Sequence, residues 1–396
     1  MPFSLISLMV CVFGITTGEF VIAGILPDVA SDLAVSIPEA GLLVTAYAIG
    51  MIFGGPPLTA LTARYPRRPL ILVLLVITVI GNIASAYAPT YELLFAARII
   101  TALVTSTLFA NAIVIAVSTA SAGKEASTVS KLVFGMNLAM VLGAPLGTFI
   151  GHQFGWRATF LAVAIVCALG LVLAAKFVPA VANAGGSATA ELTVFRNRNV
   201  QLAILVTAVA NAGLLMVFTY FSPLLTDVTG FAAGTVASML LVYGVGAAVG
   251  NFAGGWLADR ALMPSQIALL SLLTVALVGM WAASGSAIIT GVMVFVVGAL
   301  GFSVIPGMQA RVMSTASGAP TLAIAVNASA YQLAAAFAGW LGGRVIDGPG
   351  LKSVYLVAAG VTVAGILVSL FAWHRDRVDV GSAEEVSMSQ SNSGGT

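Results

Sequence analysis

YAIGMIFGGPPLTALTAR (residues 47–64) and YGVGAAVGNFAGGWLADR (residues 243–260) are one segment written twice. Tyr47, Gly50, Gly54, Leu61 and Arg64 fall on Tyr243, Gly246, Gly250, Leu257 and Arg260 at a single offset, 243 − 47 = 196, without a gap. At that offset Pro27 falls on Pro223, the string Ser118-Thr-Ala-Ser121 on Ser314-Thr-Ala-Ser317, and Gly143 and Gly147 on Gly339 and Gly343. Chance readily matches Leu with Leu in an apolar chain. It does not readily align Pro, Gly, Tyr, Arg and a four-residue string at one spacing, so the chain is a duplicated module.

The module is built for a bilayer. Of the 396 residues 60% are hydrophobic and 8% charged, against about 25% charged in a soluble domain, and mean hydropathy is +1.07. Apolar runs long enough to span recur at about 4–26, 39–61, 69–88, 92–116, 126–151, 157–177, 200–222, 233–257, 265–284, 287–310, 320–345 and 350–373. The first run has no basic residue before it and is a full span long, which predicts a retained helix and not a cleaved signal. Six spans, an even number, separate the two copies, so both copies point the same way, as in transporters whose halves rock about an axis normal to the membrane. The expected fold is an all-α membrane protein of twelve transmembrane helices in two six-helix bundles related by a parallel internal repeat. The expected division is a bundle over residues 1–177, a cytoplasmic linker over 178–199, a second bundle over 200–375 and a disordered, Ser/Gly-rich cytoplasmic tail over 376–396.

Basic residues orient the chain. With both termini inside, twelve fall in cytoplasmic segments: Arg64, Arg67, Arg68, Lys124, Lys131, Lys176, Arg196, Arg198, Arg260, Arg311, Arg375 and Arg377. Three fall outside, Arg157, Arg344 and Lys352, and Arg98 lies within a span. The second, fifth, eighth and eleventh spans carry small residues four apart: Ala46/Gly50/Gly54, Gly143/Gly147/Gly151, Gly246/Gly250/Gly254 and Ala335/Gly339/Gly343. Such stripes let helix backbones approach closely. They read either as ordinary helix packing or as the seam along which one bundle moves against the other.

These motifs resemble the major facilitator superfamily over essentially residues 1–375, and within it the twelve-helix drug and metabolite:proton antiporters. Leu61, Arg64, Arg67 and Arg68 are similar to the family's Gly-x-Leu-Ala-Asp-Arg-x-Gly-Arg-Arg motif, with Thr59 and Pro66 in place of glycines and Ala63 in place of the aspartate. The second copy, Gly255-Trp-Leu-Ala-Asp259-Arg260, is fuller. The resemblance implies a cytoplasmic gate formed by Arg64, Arg67, Arg68, Asp259 and Arg260, the aspartate lock being absent from the first copy. Arg98 followed by Ala102 is similar to the family's Arg-x-x-x-Gly. Gly135…Gly143-Ala-Pro145-Leu-Gly147 resembles the antiporter motif of the fifth helix, and Gly155-Trp-Arg157…Phe160 fits the entry to the sixth. Glu19-Phe-x-x-x-Gly24-x-x-Pro27 resembles a subgroup of bacterial exporters of chloramphenicol, sugars and purine ribonucleosides. What this implies is an antiporter of the bacterial inner membrane, with Gly143, Pro145, Gly147, Gly246, Gly250, Gly339 and Gly343 as packing or hinge positions.

Two charges stand well inside the spans, Glu19 and Arg98, each costing about 2.5–3.5 kcal/mol at a helix centre. Their counterparts in the repeat are Leu215 and Val294, so the scaffold does not require charge there. Helical rise places both within about 10 Å of the outer ends of their spans, so the two can meet. One reading is a static buried ion pair. The other is proton coupling: Glu19 carries the proton and Arg98 tunes it, because desolvation and a nearby cation pull a carboxyl in opposite directions. Thr16, Phe20, Tyr47, Asn137, Asn211, Tyr243 and Gln332 are candidates to line a central cavity, with Phe218 and Phe337 as apolar walls. Each polar one reads alternatively as a helix–helix hydrogen bond. A cavity this apolar favours neutral or weakly cationic amphipathic solutes.

Enzymatic readings find no support. The histidines, His152 and His374, fall at membrane edges, and HExxH, Gly-x-Ser-x-Gly and Walker A motifs are absent from the sequence. Cys11 and Cys167 lie in apolar runs and read as core residues, so neither a metal site nor a cofactor is expected. A net charge of +2 gives no reason to expect nucleic acid. The expected partners are a small-molecule substrate, protons and the lipid bilayer, around a monomer. The readings in play are a proton-coupled exporter, a proton-coupled importer, and a non-transporting receptor or assembly factor on the same scaffold.

Overall fold

A computed structural model describes residues 3–62, 64–120, 125–180, 198–315 and 320–393. The described residues form twelve long helices and no strand. They are α1 (Phe3–Phe20, resuming as Ile22–Asp32), α2 (Ile37–Thr62), α3 (Arg67–Ala86), α4 (Tyr91–Ser118), α5 (Glu125–Leu138, then Ala139–Gly143 and Ala144–Phe154) and α6 (Trp156–Phe177). The second six are α7 (Arg198–Thr219, then Phe221–Pro223 and Leu224–Val228), α8 (Val236–Arg260), α9 (Leu262–Ala283), α10 (Ala287–Thr315), α11 (Pro320–Asp347) and α12 (Val354–Ser393). All but α11 reach the length and hydropathy of a membrane-crossing helix over their described residues.

The sequence explains the interruptions. Pro223 has no N–H and crowds the carbonyl one turn back, and α7 breaks at Tyr220. Its counterpart Pro27 lies in the second piece of α1, which breaks at Val21. In α5 the ladder widens to π-helix over Ala139–Gly143 just before Pro145, the usual way a helix absorbs a missing donor. Gly155, at φ +86°, makes the turn from α5 into α6, a backbone conformation that disfavours residues with a Cβ.

Several boundaries differ from the expected ones. α1 runs on to Asp32, not 26, which puts Glu19 near the middle of the helix. α10 runs on to Thr315, so Arg311, expected in a loop, is helical and 2% exposed. α12 continues to Ser393, where composition predicts a disordered tail. The segment after Arg375 contains no proline, and extending an existing helix has no nucleation cost. Ala63, Lys124, Arg196, residues 181–197 of the linker, and parts of both Ser-Thr-Ala-Ser strings lie outside the described residues, as does the side chain of Arg377.

The two bundles repeat each other at the level of backbone contacts. A Cβ on Gly54 would overlap the Leu103 carbonyl of α4, and one on Gly250 would overlap the Ala299 carbonyl of α10. Ile99 and Phe295 play the same part for Gly50 and Gly246. All these pairs are 196 residues apart. The stripes of α2 and α8 are therefore packing surfaces within each bundle. Gly143 and Gly147 likewise press on Thr17 and Val21 of α1 in their own bundle. Of the expected seam glycines, Gly339 and Gly343 face the other bundle, against Thr45 and Pro38.

Among the described residues, the bundles share a continuous core at one end only. On the face away from the termini, one continuous apolar core takes Ile22, Leu43 and Trp156 from the first bundle and Tyr220, Leu240 and Ala338 from the second. Toward the face that carries the termini the cores separate. Leu8, Leu75 and Ile115 form one, and Val200 with Val312 and Leu270 with Met308 form others. The distal seal is tight: Thr45 Oγ1 donates to the Ala336 carbonyl at 3.0 Å, and Cβ atoms on Gly41 and Gly244 would meet Tyr220 and Val141 across the seam.

Candidate functional site

Glu19 lies two residues before the break in α1, half-buried between the bundles. Its carboxylate does not pair with Arg98. Oε1 accepts from Gln332 Nε2 of α11, in the opposite bundle, at 2.8 Å. The carboxylate therefore points into the interface and not into lipid.

Arg98 lies 1% exposed on α4 and engages the backbone of α1. Its Nη1 donates to the Gly18 carbonyl at 2.7 Å and its Nη2 to the Glu19 carbonyl at 3.5 Å. Those carbonyls end the first piece of α1, where a helix dipole favours a cation. The guanidinium also lies 4.2 Å from the Tyr47 ring centre and 5.8 Å from that of Phe160, a cation–π arrangement that offsets part of its desolvation. The expected meeting of Glu19 and Arg98 thus occurs through main chain. The static ion pair is not formed, because the guanidinium is already occupied by carbonyls and rings.

The remaining candidates divide between the lumen and the packing. Tyr47 is buried, with its hydroxyl 3.0 Å from Thr105 Oγ1. Thr16 is buried one turn before Glu19. Asn211 reads as helix glue: its Nδ2 donates to the Thr207 carbonyl at 2.8 Å and approaches Met308 Sδ at 3.0 Å. Asn137 is half-buried on α5 just before the π segment. Phe337 is exposed and packs at a tilt against Trp340, so it is not part of the central site.

Phe20 and Tyr243 belong to an aromatic cluster that bridges the bundles. Phe20 meets Phe218 edge-on, with ring centres 5.6 Å apart. Phe218 and Phe221 pack on Tyr243 at 5.3 and 5.7 Å, and Phe302 closes its other side at 6.2 Å. Tyr243 is 2% exposed and its hydroxyl has no hydrogen-bond partner. A buried, unpaired hydroxyl costs about 1–3 kcal/mol, which makes this the atom a polar ligand group would satisfy. Phe221, Phe302 and Tyr331, the last within electrostatic reach of both Glu19 and Tyr243, were not legible in the sequence. Their one signal was adjacency: Tyr331 directly precedes Gln332.

The gate residues stand apart on the terminal side. Arg67 Nη1 donates to Asn111 Oδ1 at 3.0 Å and Arg68 Nη2 to the Ala175 carbonyl at 2.6 Å, both within the first bundle. Arg260 stacks on Trp256 at 3.4 Å. Arg64 and Asp259 are exposed. At the distal mouth Asp32 binds Arg157 and accepts from Trp156 Nε1 at 3.1 Å. The Arg157 hydrogen bond holds the Asp32 carboxyl below the usual carboxylate range. Metal-binding clusters of His, Cys, Asp and Glu are absent among the described residues.

Two bundles of six helices, joined at one mouth around a half-buried acid, form the geometry of an alternating-access carrier. Residues 8–321 match the Major Facilitator Superfamily. The chain belongs to that superfamily. It is 36% identical over 369 residues to the inner membrane transport protein YdhP of Escherichia coli strain K12, covering 93% of this chain and 95% of that one. It is 33% identical over 379 residues to a chloramphenicol resistance protein of Streptomyces lividans, covering 92% and 95%. The crystal structure of a D-xylose–proton symporter superposes with a TM-score of 0.75 over 93% of this chain and 97% of that one, at 18% identity, which speaks to fold alone. The chain is a multi-pass membrane transporter of this superfamily, and not an enzyme.

Proposed function

We propose that the protein is a proton-coupled exporter of small neutral or weakly cationic amphipathic compounds, working by alternating access as a monomer in a bacterial inner membrane with both termini cytoplasmic. The observation that carries this reading is the half-buried Glu19 carboxylate at the junction of the two bundles, hydrogen-bonded across the seam to Gln332. An acid so placed changes its surroundings when the bundles rock, and its proton affinity changes with them. Arg98 keeps a positive charge beside it and fixes the α1 break from which it projects. The Phe20–Phe218–Tyr243 cluster supplies an apolar wall with one unsatisfied hydroxyl, suited to an amphipathic solute carrying a hydrogen-bonding group. The kinship with a chloramphenicol resistance protein supports export. The bias of basic residues toward the terminal side supports the orientation. The state described is then open to the cytoplasm.

The test is a susceptibility panel of toxic amphipathic compounds in a host carrying the wild-type protein or Glu19→Gln. Compounds that the wild type makes tolerable should then be followed in vesicles under an imposed pH gradient. The expected result is gradient-driven efflux that is lost in Glu19→Gln. Efflux that survives the substitution refutes the assignment.

A further inference from the structure

An exchanger of a proton for a solute must not reorient while it carries neither. A carrier that brings a proton in, releases it and swings back empty dissipates the gradient. The structure contains a contact placed to forbid that step.

Gln332 and Glu19 lie 313 residues apart in sequence and in opposite bundles, and Gln332 Nε2 is 2.8 Å from Glu19 Oε1. Gln332 is 7% exposed. One turn further along α11, the Ala336 carbonyl accepts from Thr45 of α2. Beyond it Gly339 and Gly343 press on Thr45 and Pro38. The amide is therefore the innermost tie of the distal seal, and its partner is the acid.

The other charged or titratable groups around Glu19 leave this bond its direct partner. Arg98, from α4, turns its two Nη groups to the Gly18 and Glu19 carbonyls, and its Nε has no hydrogen-bond partner. Tyr47 from α2 and Tyr331 from α11 are within electrostatic reach, but a tyrosine carries no positive charge. A hydrogen bond from an amide to an ionised carboxylate is about twice as strong as a neutral one, so the tie depends on the charge of Glu19.

We infer that Gln332 is a charge-reading latch: ionised, unloaded Glu19 holds the distal mouth shut through it. Two events release the mouth. Protonation of Glu19 makes the bond neutral, and a solute entering between Glu19 and the amide replaces it. The empty, deprotonated carrier is the form that stays locked, which keeps proton entry tied to solute exit. This inference rests on Glu19 being the proton carrier, and it makes Gln332 a positioning residue, not a proton carrier.

The experiment measures proton influx into liposomes containing the purified full chain, under a pH gradient with the membrane potential clamped and no solute added. Gln332→Leu should raise this solute-independent influx about tenfold, the population change expected on losing one charge-assisted hydrogen bond. Adding Glu19→Gln to Gln332→Leu should bring it to the level of empty liposomes. If Gln332→Leu leaks no more than wild type while Glu19→Gln abolishes gradient-driven transport, the latch is overturned and the carrier assignment stands. If the double variant still leaks, the carrier assignment falls and the latch falls with it. Should Gln332→Leu not assemble, spin labels at the exposed distal positions Ser31 and Pro349 read the same device with Gln332 intact. Acidification should lower the closed fraction in wild type and leave it unchanged in Glu19→Gln. A pH-independent wild type overturns the latch.

Discussion

The two bundles share their packing and differ in their chemistry. Gly50 and Gly54 meet the α4 backbone as Gly246 and Gly250 meet that of α10. The side chains between the bundles have diverged. Glu19 and Arg98 face Leu215 and Val294 in the repeat, whereas Phe218, Phe221 and Phe302 face Ile22, Ile25 and Ser106. The paired tyrosines make the contrast plain. Tyr47 lies under a guanidinium with its hydroxyl satisfied by Thr105. Tyr243 lies among aromatic rings with its hydroxyl unsatisfied. A backbone-to-backbone contact tolerates no added atom, so it persists through divergence. Lumen-facing positions carry no such constraint, so one bundle has become the charged half and the other the aromatic half.

The shared part should be the most fragile. Gly54→Leu and Gly250→Leu each drive a side chain into a carbonyl, and both should abolish recovery of folded protein from detergent extracts. Gly291→Leu, where a Cβ meets nothing within 4 Å, should leave the yield unchanged. A folded Gly250→Leu would break the equivalence of the two bundles. The divergent part should fail in function instead. Moving the acid, as Glu19→Leu with Leu215→Glu, costs about 2.5–3.5 kcal/mol of insertion at the new site and should not restore pH-gradient-driven transport. Leu215 lies in the apolar core that joins the bundles. Restoration would show that an acid in either bundle suffices.

The tyrosines offer a finer test. If the Tyr243 hydroxyl waits for a solute, Tyr243→Phe should raise KM a few-fold, as losing one neutral hydrogen bond of about 1 kcal/mol does, with kcat little changed. Tyr47→Phe removes a bond internal to the protein and should leave KM unchanged. The compound measured is whichever the susceptibility panel identifies.

The fold was almost wholly legible in the sequence, because the bilayer demands long apolar runs and the duplication checks their count. The candidate site was legible only at its charges. Glu19 and Arg98 stand out because charge in lipid is costly, but spacing along each helix does not determine rotation. The sequence pointed to a direct pair, whereas the guanidinium turned to the carbonyls of Gly18 and Glu19 and the carboxylate to Gln332. Phe221 and Phe302 were invisible because aromatic residues in apolar runs carry no signal of which way they face. Arg311 was misplaced because a basic residue near a span end reads as loop even where the helix continues.

The smallest expected effect lies at the distal mouth, where the first bundle holds an ion pair at positions that are uncharged in the second. Asp32 and Arg157 correspond to Val228 and Ser353 in the repeat. Asp32 joins the end of α1 to the start of α6 through Arg157 and Trp156. Arg157 holds the folded-state pKa of Asp32 below its ordinary value of about 3.9. For a depressed carboxyl the stabilisation is present above the unfolded-state pKa and is lost as pH falls through the folded one. Asp32→Asn should therefore lower Tm at neutral pH, and the gap from wild type should close in acid. The pair is nearly half exposed, with side-chain accessibilities of 38% and 46%, so the shift should be about 1 °C at most. A gap that widens on acidification would show that Asp32 is held by something other than its charge.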